Sequence, residues 1–214
     1  MRQAFRDSRG ITLVELLVVI SIVSILALAL AFSYRGWTGR YKVEDQVKQL
    51  YADMLYAKNT AVERSRDYFM KFPVSGSGSS AVYTYTIYED TYTTPAGNGV
   101  LDDTGGSQDT VLAGYPKKLD YQLSGYRDTL DYSTNPATVS VSPAIGVDTV
   151  TITFDKGGFM SCGQLFPAGT NRGVIKFTDT DNPDVASDYD CILISQTSLD
   201  MGKWNDTSKI CSIK

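Results

Sequence analysis

The chain has 214 residues, 43 % of them hydrophobic, with a formal net charge of −4 and no histidine. The missing imidazole removes Ser-His-Asp and Cys-His catalysis and the zinc sites that need it, and cysteines at 162, 191 and 211 without a C-x-x-C pair argue against a thiolate metal site. A globally acidic chain also lacks the electrostatic footprint of a nucleic-acid binder.

The first ten residues carry Arg2, Arg6 and Arg9 against Asp7, a basic segment of net charge +2 that leaves −6 on the remainder. From Ile11 to Phe32 run 22 residues that are apolar except for Thr12, Glu15, Ser21 and Ser24. As a helix this run rises roughly 33 Å, enough to cross a bilayer core. The basic end is expected in the cytoplasm and the chain after Phe32 across the membrane. Glu15 is the anomaly, because a carboxylate inserted in hydrocarbon costs roughly 2.5–3.5 kcal/mol, so it is expected to face a partner rather than lipid. Ala27, Ala29 and Ala31 could mimic an ordinary signal-peptidase site after the apolar run, but the better site lies before it.

Past the apolar run, Trp37 and Tyr41 with Arg35 and Arg40 suit a membrane–water interface. Gly36 and Gly39 each weaken helix by about 1 kcal/mol relative to alanine and predict a bend or partial melting there. From Val43 the apolar positions Val43, Val47, Leu50, Met54, Ala57 and Ala61 step by four and three, which is one face of an amphipathic helix. Continuous helix from Ile11 to about Arg66 would be roughly 84 Å long.

After Arg66 the period changes. Strands are predicted at Asp67–Val74, Ala81–Tyr92, Val111–Leu112, Lys118–Leu123, Thr138–Ser142, Thr149–Asp155, Gly173–Thr178 and Cys191–Gln196, punctuated by Gly, Pro, Asn and Asp. The fold class is therefore α+β, one long N-terminal helix packed on a mainly antiparallel β domain. The boundaries are 1–10, 11–32 for the apolar half-helix, 33–66 for its amphipathic continuation and 67–214 for the β-rich domain. The fourteen tyrosines read as core and sheet surface.

Two acidic stretches offer oxygens of the kind that calcium takes. Asp179, Asp181 and Asp184 lack the glycine that turns an EF-hand loop and are interrupted by Pro183, so a solvated Asx-rich turn is expected, and Asp102 to Asp109 is read the same way. Lys203, Lys209 and Lys214 are the tail's cations, set among Asp200 and Asp206, and read as a solvated face. The three cysteines allow three pairings; closing the 19 residues between Cys191 and Cys211 would stabilise by roughly 3 kcal/mol.

A short basic leader ending in Gly10, followed by Ile-Thr-Leu-Val-Glu15 and an unbroken apolar run, resembles the type III signal of type IV prepilins and pseudopilins. The resemblance implies cleavage by prepilin peptidase between Gly10 and Ile11, N-methylation of Ile11, and Glu15 as the fifth mature residue. In this family that carboxylate is thought to neutralise the N-terminal amine of a neighbouring subunit during filament assembly. Ile11 stands where phenylalanine is more usual, and no proline kinks the outer part of the span, which favours a minor subunit. Val150–Phe159 resembles the strand-then-glycine segment of the GspH/FimT type of minor pseudopilins and minor pilins, and Cys191–Ser195 resembles that type's final core strand. Gly202-Lys203 stands in for the family's Gly-Arg pair.

What the resemblance implies is a non-enzymatic subunit without cofactor, in a type IV pilus or a type II secretion pseudopilus. Its partners would be other pilins or pseudopilins, the prepilin peptidase and the inner-membrane assembly platform. The N-terminus would be cytoplasmic and the β domain periplasmic, an oxidising place where the family's disulfide-closed C-terminal loop would pair Cys191 with Cys211. Some FimT-like proteins are proposed to bind DNA through basic tail residues, which makes a DNA receptor the alternative at Lys203, Lys209 and Lys214. A single-span anchored domain, enzymatic or not, is the second alternative.

Overall fold

The computed structural model describes residues 12–76, 81–92, 97–105, 108–127, 145–146, 150–166, 172–179, 187–208 and 210–214, with backbone only at 29–40, 145 and 146. The chain divides into two compact units, Met1–Gly39 and Arg40–Lys214. One helix, α1 (Leu13–Arg64), belongs to both. Its backbone stays helical through Gly36 and Gly39, so the melting predicted there does not occur. Two glycine penalties of about 1 kcal/mol are small beside the cost of nucleating a new helix after a break. The helix ends at Ser65, whose φ of 54° is left-handed, with Arg66 N–H donating to Ala61 O at 3.1 Å.

In the larger unit the predicted stripe is the buried face: Val43, Val47, Leu50, Met54, Ala57 and Ala61 are all buried. They lie on two antiparallel sheets. The first has the order β2 (Val74–Ser75), β3 (Val82–Glu89), β1 (Tyr68–Lys71), β8 (Thr151–Phe154), β9 (Met160–Ser161), with β4 (Thr110–Val111) and β5 (Lys117–Leu119) also on β3. The second runs β13 (Ile210–Ile213), β12 (Leu199–Asn205), β11 (Cys191–Ser195), β10 (Arg172–Thr178), β6 (Gln122–Arg127), β7 (Ile145–Gly146). The alternation of side chains sorts the residues by face. Register aligns Tyr68 with Phe154 and Met70 with both Ile87 and Ile152, and all five join the helix core. In the second sheet Ile175, Phe177, Ile192 and Ile194 join the same core, while Val174, Leu193 and Trp204 build a second cluster with Cys191 and Cys211.

Most predicted strands are present, with differences that have local causes. The Lys118–Leu123 segment is two strands, because Gln46 on α1 accepts the Asp120 N–H at 3.0 Å and donates to its carboxylate at 3.0 Å, breaking the run. Thr138–Ser142 lies outside the described residues. Cys191–Ser195 is an inner strand and not the last one: β12 and β13 follow it. Phe154 is buried, and Gly158, at φ 81°, turns the chain with Asp155 accepting the Gly157 and Phe159 amides at 2.7 and 2.9 Å.

Cys191 and Cys211 are disulfide-bonded, with Cα atoms 6.1 Å apart, and Cys162 is a buried thiol. The two cysteines sit on the strands flanking β12, so the bond crosses over that strand. Gly202 is what lets it pass: a Cβ there would lie 2.9 Å from Cys211 Sγ and 2.5 Å from the Ser212 carbonyl oxygen. Gly202→Ala is therefore expected to cost about 1–3 kcal/mol and to leave a fraction of the chains with three free thiols, read by denaturant unfolding and thiol counting.

Polar ties fasten the helix to the sheets. Asp53 accepts from the Tyr85 hydroxyl and from Lys117 Nζ at 2.7 Å, and Lys58 Nζ donates to the Thr197 carbonyl oxygen. Near the helix end, burial followed by the Glu89 carboxylate pushes the Tyr68 phenol up to about 12. Burial, then the Asp53 hydrogen bond, pushes Tyr85 up as well. Each raised pKa contributes stability that is complete below the ordinary value of about 10 and is lost as pH climbs through the folded value. Absorbance titration at 295 nm is expected to show Tyr68 and Tyr85 still protonated at about pH 11 and ionising together with alkaline unfolding.

Candidate functional site

The N-terminal end of α1 is the candidate site, and its geometry begins with Thr12. Leu16 N–H donates to the Thr12 carbonyl oxygen at 3.1 Å and Glu15 N–H to Thr12 Oγ1 at 3.3 Å, so Thr12 is the N-cap. Thr12-Leu-Val-Glu15 is the S/T-x-x-E pattern of a capping box, with the acid in the first turn where the helix dipole favours negative charge. The pattern is legible in the sequence, but there Glu15 reads first as a charge in an apolar run, which hides the part that Thr12 plays.

Beyond Glu15 the helix is apolar on every side and uncovered. Leu13, Val14, Leu16, Leu17, Val18, Val19, Ile20, Ile22, Val23, Ile25, Leu26 and Leu28 are each 51 % exposed or more in the isolated chain. The hydroxyls need no outside partner: Ser21 donates to the Leu17 carbonyl oxygen at 2.8 Å and Ser24 to that of Ile20 at 2.7 Å. At about 25 cal/mol per Å², such a surface is far too costly to leave in water. Among the described residues no helix is long and apolar enough to cross a membrane. The described side chains of this run stop at Leu28, whereas the apolar sequence continues to Phe32. Gly10 and Ile11, the expected cleavage and methylation positions, lie outside the described residues.

The other candidate residues are dispersed over the larger unit. Lys203 pairs with Asp190, and Lys214 pairs with Asp188 at 2.7 Å; Lys209 lies outside the described residues. Asp179 is at the end of β10, and Asp181 and Asp184 are outside the described residues. Among the described residues no group of three Cys, Asp or Glu side chains could hold a metal ion.

The Asp102 to Asp109 stretch departs from the solvated turn expected of it, because Asp109 is buried. Its carboxylate accepts the Thr91 and Tyr92 amides at 3.1 Å each and the Asp102 amide at 2.9 Å. Asp90, also buried, accepts the Asn98 and Gly99 amides at 3.0 and 2.6 Å, and a Cβ on Gly97 would lie 2.1 Å from its Cγ. Burial is the main cause that pushes the Asp90 carboxyl up, the neighbouring Asp109 and Asp67 adding to it against the two amides. These acids hold loop backbone in place.

Replacing Thr12 by Ala is expected to weaken the first turn of α1 by about 1 kcal/mol, read as faster amide exchange at Leu13–Leu16 of the full chain in detergent micelles, with the β domain unchanged.

Residues 5–31 match the family described as the prokaryotic N-terminal methylation motif. No curated protein matches the chain, and no solved structure does. The matched segment includes Thr12, Glu15 and most of the exposed apolar helix, and it supports reading this chain as a type IV pilin-like protein, a structural subunit with a membrane-anchored precursor.

Proposed function

We propose that the chain is a minor pilin or pseudopilin of the GspH/FimT type, a subunit of a type IV pilus or a type II secretion pseudopilus. The observation that carries the reading is the coincidence of the methylation motif with a capped helix that is apolar all round and lacks cover in the isolated chain. Prepilin peptidase cuts between Gly10 and Ile11 and methylates the new amine of Ile11. Residues 11–32 hold the subunit in the inner membrane, 33–66 continue the helix, and 67–214 form the periplasmic domain.

Assembly then covers what the isolated chain exposes. The apolar helix passes from lipid to the helices of other pilins or pseudopilins on the inner-membrane assembly platform. In the low-dielectric filament core the Glu15 carboxylate meets the N-terminal amine of a neighbouring subunit, so two charges that are each costly in hydrocarbon neutralise one another. The disulfide across β12 suits a domain that folds in an oxidising compartment.

Two measurements test the reading together. The intact mass of membrane-extracted protein should begin at methylated Ile11 in cells with the prepilin peptidase and at Met1 in cells without it. Glu15→Gln should be processed normally but enter sheared filaments about tenfold less. Retention of Met1 to Gly10 in both strains would overturn the proposal.

A further inference from the structure

The disulfide lies in a chain of contacts that runs from the C-terminal strand to α1. Gly202, under the disulfide, is the residue whose carbonyl oxygen accepts the Asp190 N–H at 3.1 Å. Asp190, itself buried, returns the contact: Oδ1 accepts the Trp204 N–H at 2.6 Å and Oδ2 accepts Lys203 Nζ. Two residues earlier the Asp188 N–H donates to Glu44 Oε1 at 2.7 Å, and Glu44 is a buried carboxylate on the helix turn that seats Val43 and Val47. Lys214, at the end of β13, pairs with Asp188 at 2.7 Å. The position of β12 is thus read by Asp190 and passed to the helix by Asp188.

β13 itself is short. It is a four-residue edge strand whose ladder to β12 has four residue pairs, and Ile213 is exposed. A strand of that length at a sheet edge is weakly held without a covalent tie.

We infer that Cys191–Cys211 is a redox latch: closed, it presses β13 over Gly202 and keeps α1 seated through Asp190, Asp188 and Glu44; opened, it frees the tail and loosens that helix turn. Opening is thiol–disulfide exchange with an external dithiol. Its thiolate attacks one cystine sulfur, the S–S bond breaks to a mixed disulfide, and its second thiol closes its own disulfide. Two electrons and two protons pass to Cys191 and Cys211, which leave as thiols. Cys162 is not a party, being buried in the helix core and not in the disulfide's cluster. The inference stands on the domain's geometry and does not rest on the filament reading.

The test is hydrogen exchange of the full chain in detergent micelles, oxidised and after dithiothreitol. Reduction is expected to speed exchange about tenfold at 210–213, at 201–205, at 187–190 and at 43–48, with β1 and β3 unchanged. A rise confined to 210–214 overturns the coupling, and an equal rise in β1 and β3 overturns the latch by showing a bond that only stabilises the whole domain. Asp190→Asn, which removes the Lys203 pair without touching the cysteines, should speed 187–190 and 43–48 in the oxidised protein while 210–213 stays protected. Wild-type exchange at 43–48 in that variant overturns the path.

Discussion

The constraint on which the rest depends is the uncovered apolar surface of the first half of α1. Twelve large apolar side chains between Leu13 and Leu28 stand more than half exposed in the single chain, on all sides of the helix. A buried helix in a globular domain owes its cover to its own sheets, whereas an apolar surface of this extent is costly in water. Ser21 and Ser24 bond to carbonyls of their own helix, and Thr12 caps the first turn. Glu15 carries the one charge of the run, and a carboxylate there would be costly in hydrocarbon.

The second half of the same helix follows the opposite rule. From Val43 to Ala61 one stripe is buried on two antiparallel sheets, so the larger unit carries its own core. Polar and charged residues fix how the helix sits on that core. Gln46 breaks the chain into β5 and β6 by capturing Asp120, Asp53 takes Tyr85 and Lys117, and Glu44 takes the amide of Asp188. Each is a polar group at the margin of the core with its hydrogen-bonding capacity met from a sheet or loop, which specifies register along the helix more than it adds stability.

Several acidic side chains among the described residues accept backbone amides. Asp90, Asp109, Asp155 and Asp190 each bind one or more N–H groups in turns or beside strands. An acid-rich sequence with Gly and Asn interspersed can therefore be read as metal-binding when its carboxylates are already committed to the main chain. Lys203 and Lys214, the described members of a tail that could have met phosphate, are similarly engaged with aspartates, which blunts any local positive field.

Local patterns in the sequence determined the element types. The apolar run with its single acid, the four-and-three spacing from Val43 to Ala61, and the alternating aromatic and β-branched segments are one-dimensional signals of period 3.6 and 2, and the helix and most of the predicted strands among the described residues followed. The Thr12–Glu15 box is equally local. What only the tertiary structure decided depends on residues far apart in the chain. The pairing of Cys191 with Cys211 rests on β12 lying between their strands and on Gly202 leaving room for the bond. β12 and β13 themselves carry no clear strand pattern, because Asp200, Gly202, Lys203 and Asn205 give β12 a polar composition that only its place in the sheet turns into a strand. The burial of Asp90 and Asp109 likewise comes from a loop folding back on β3, since a carboxylate's environment is set by what the fold brings against it and not by its neighbours in sequence.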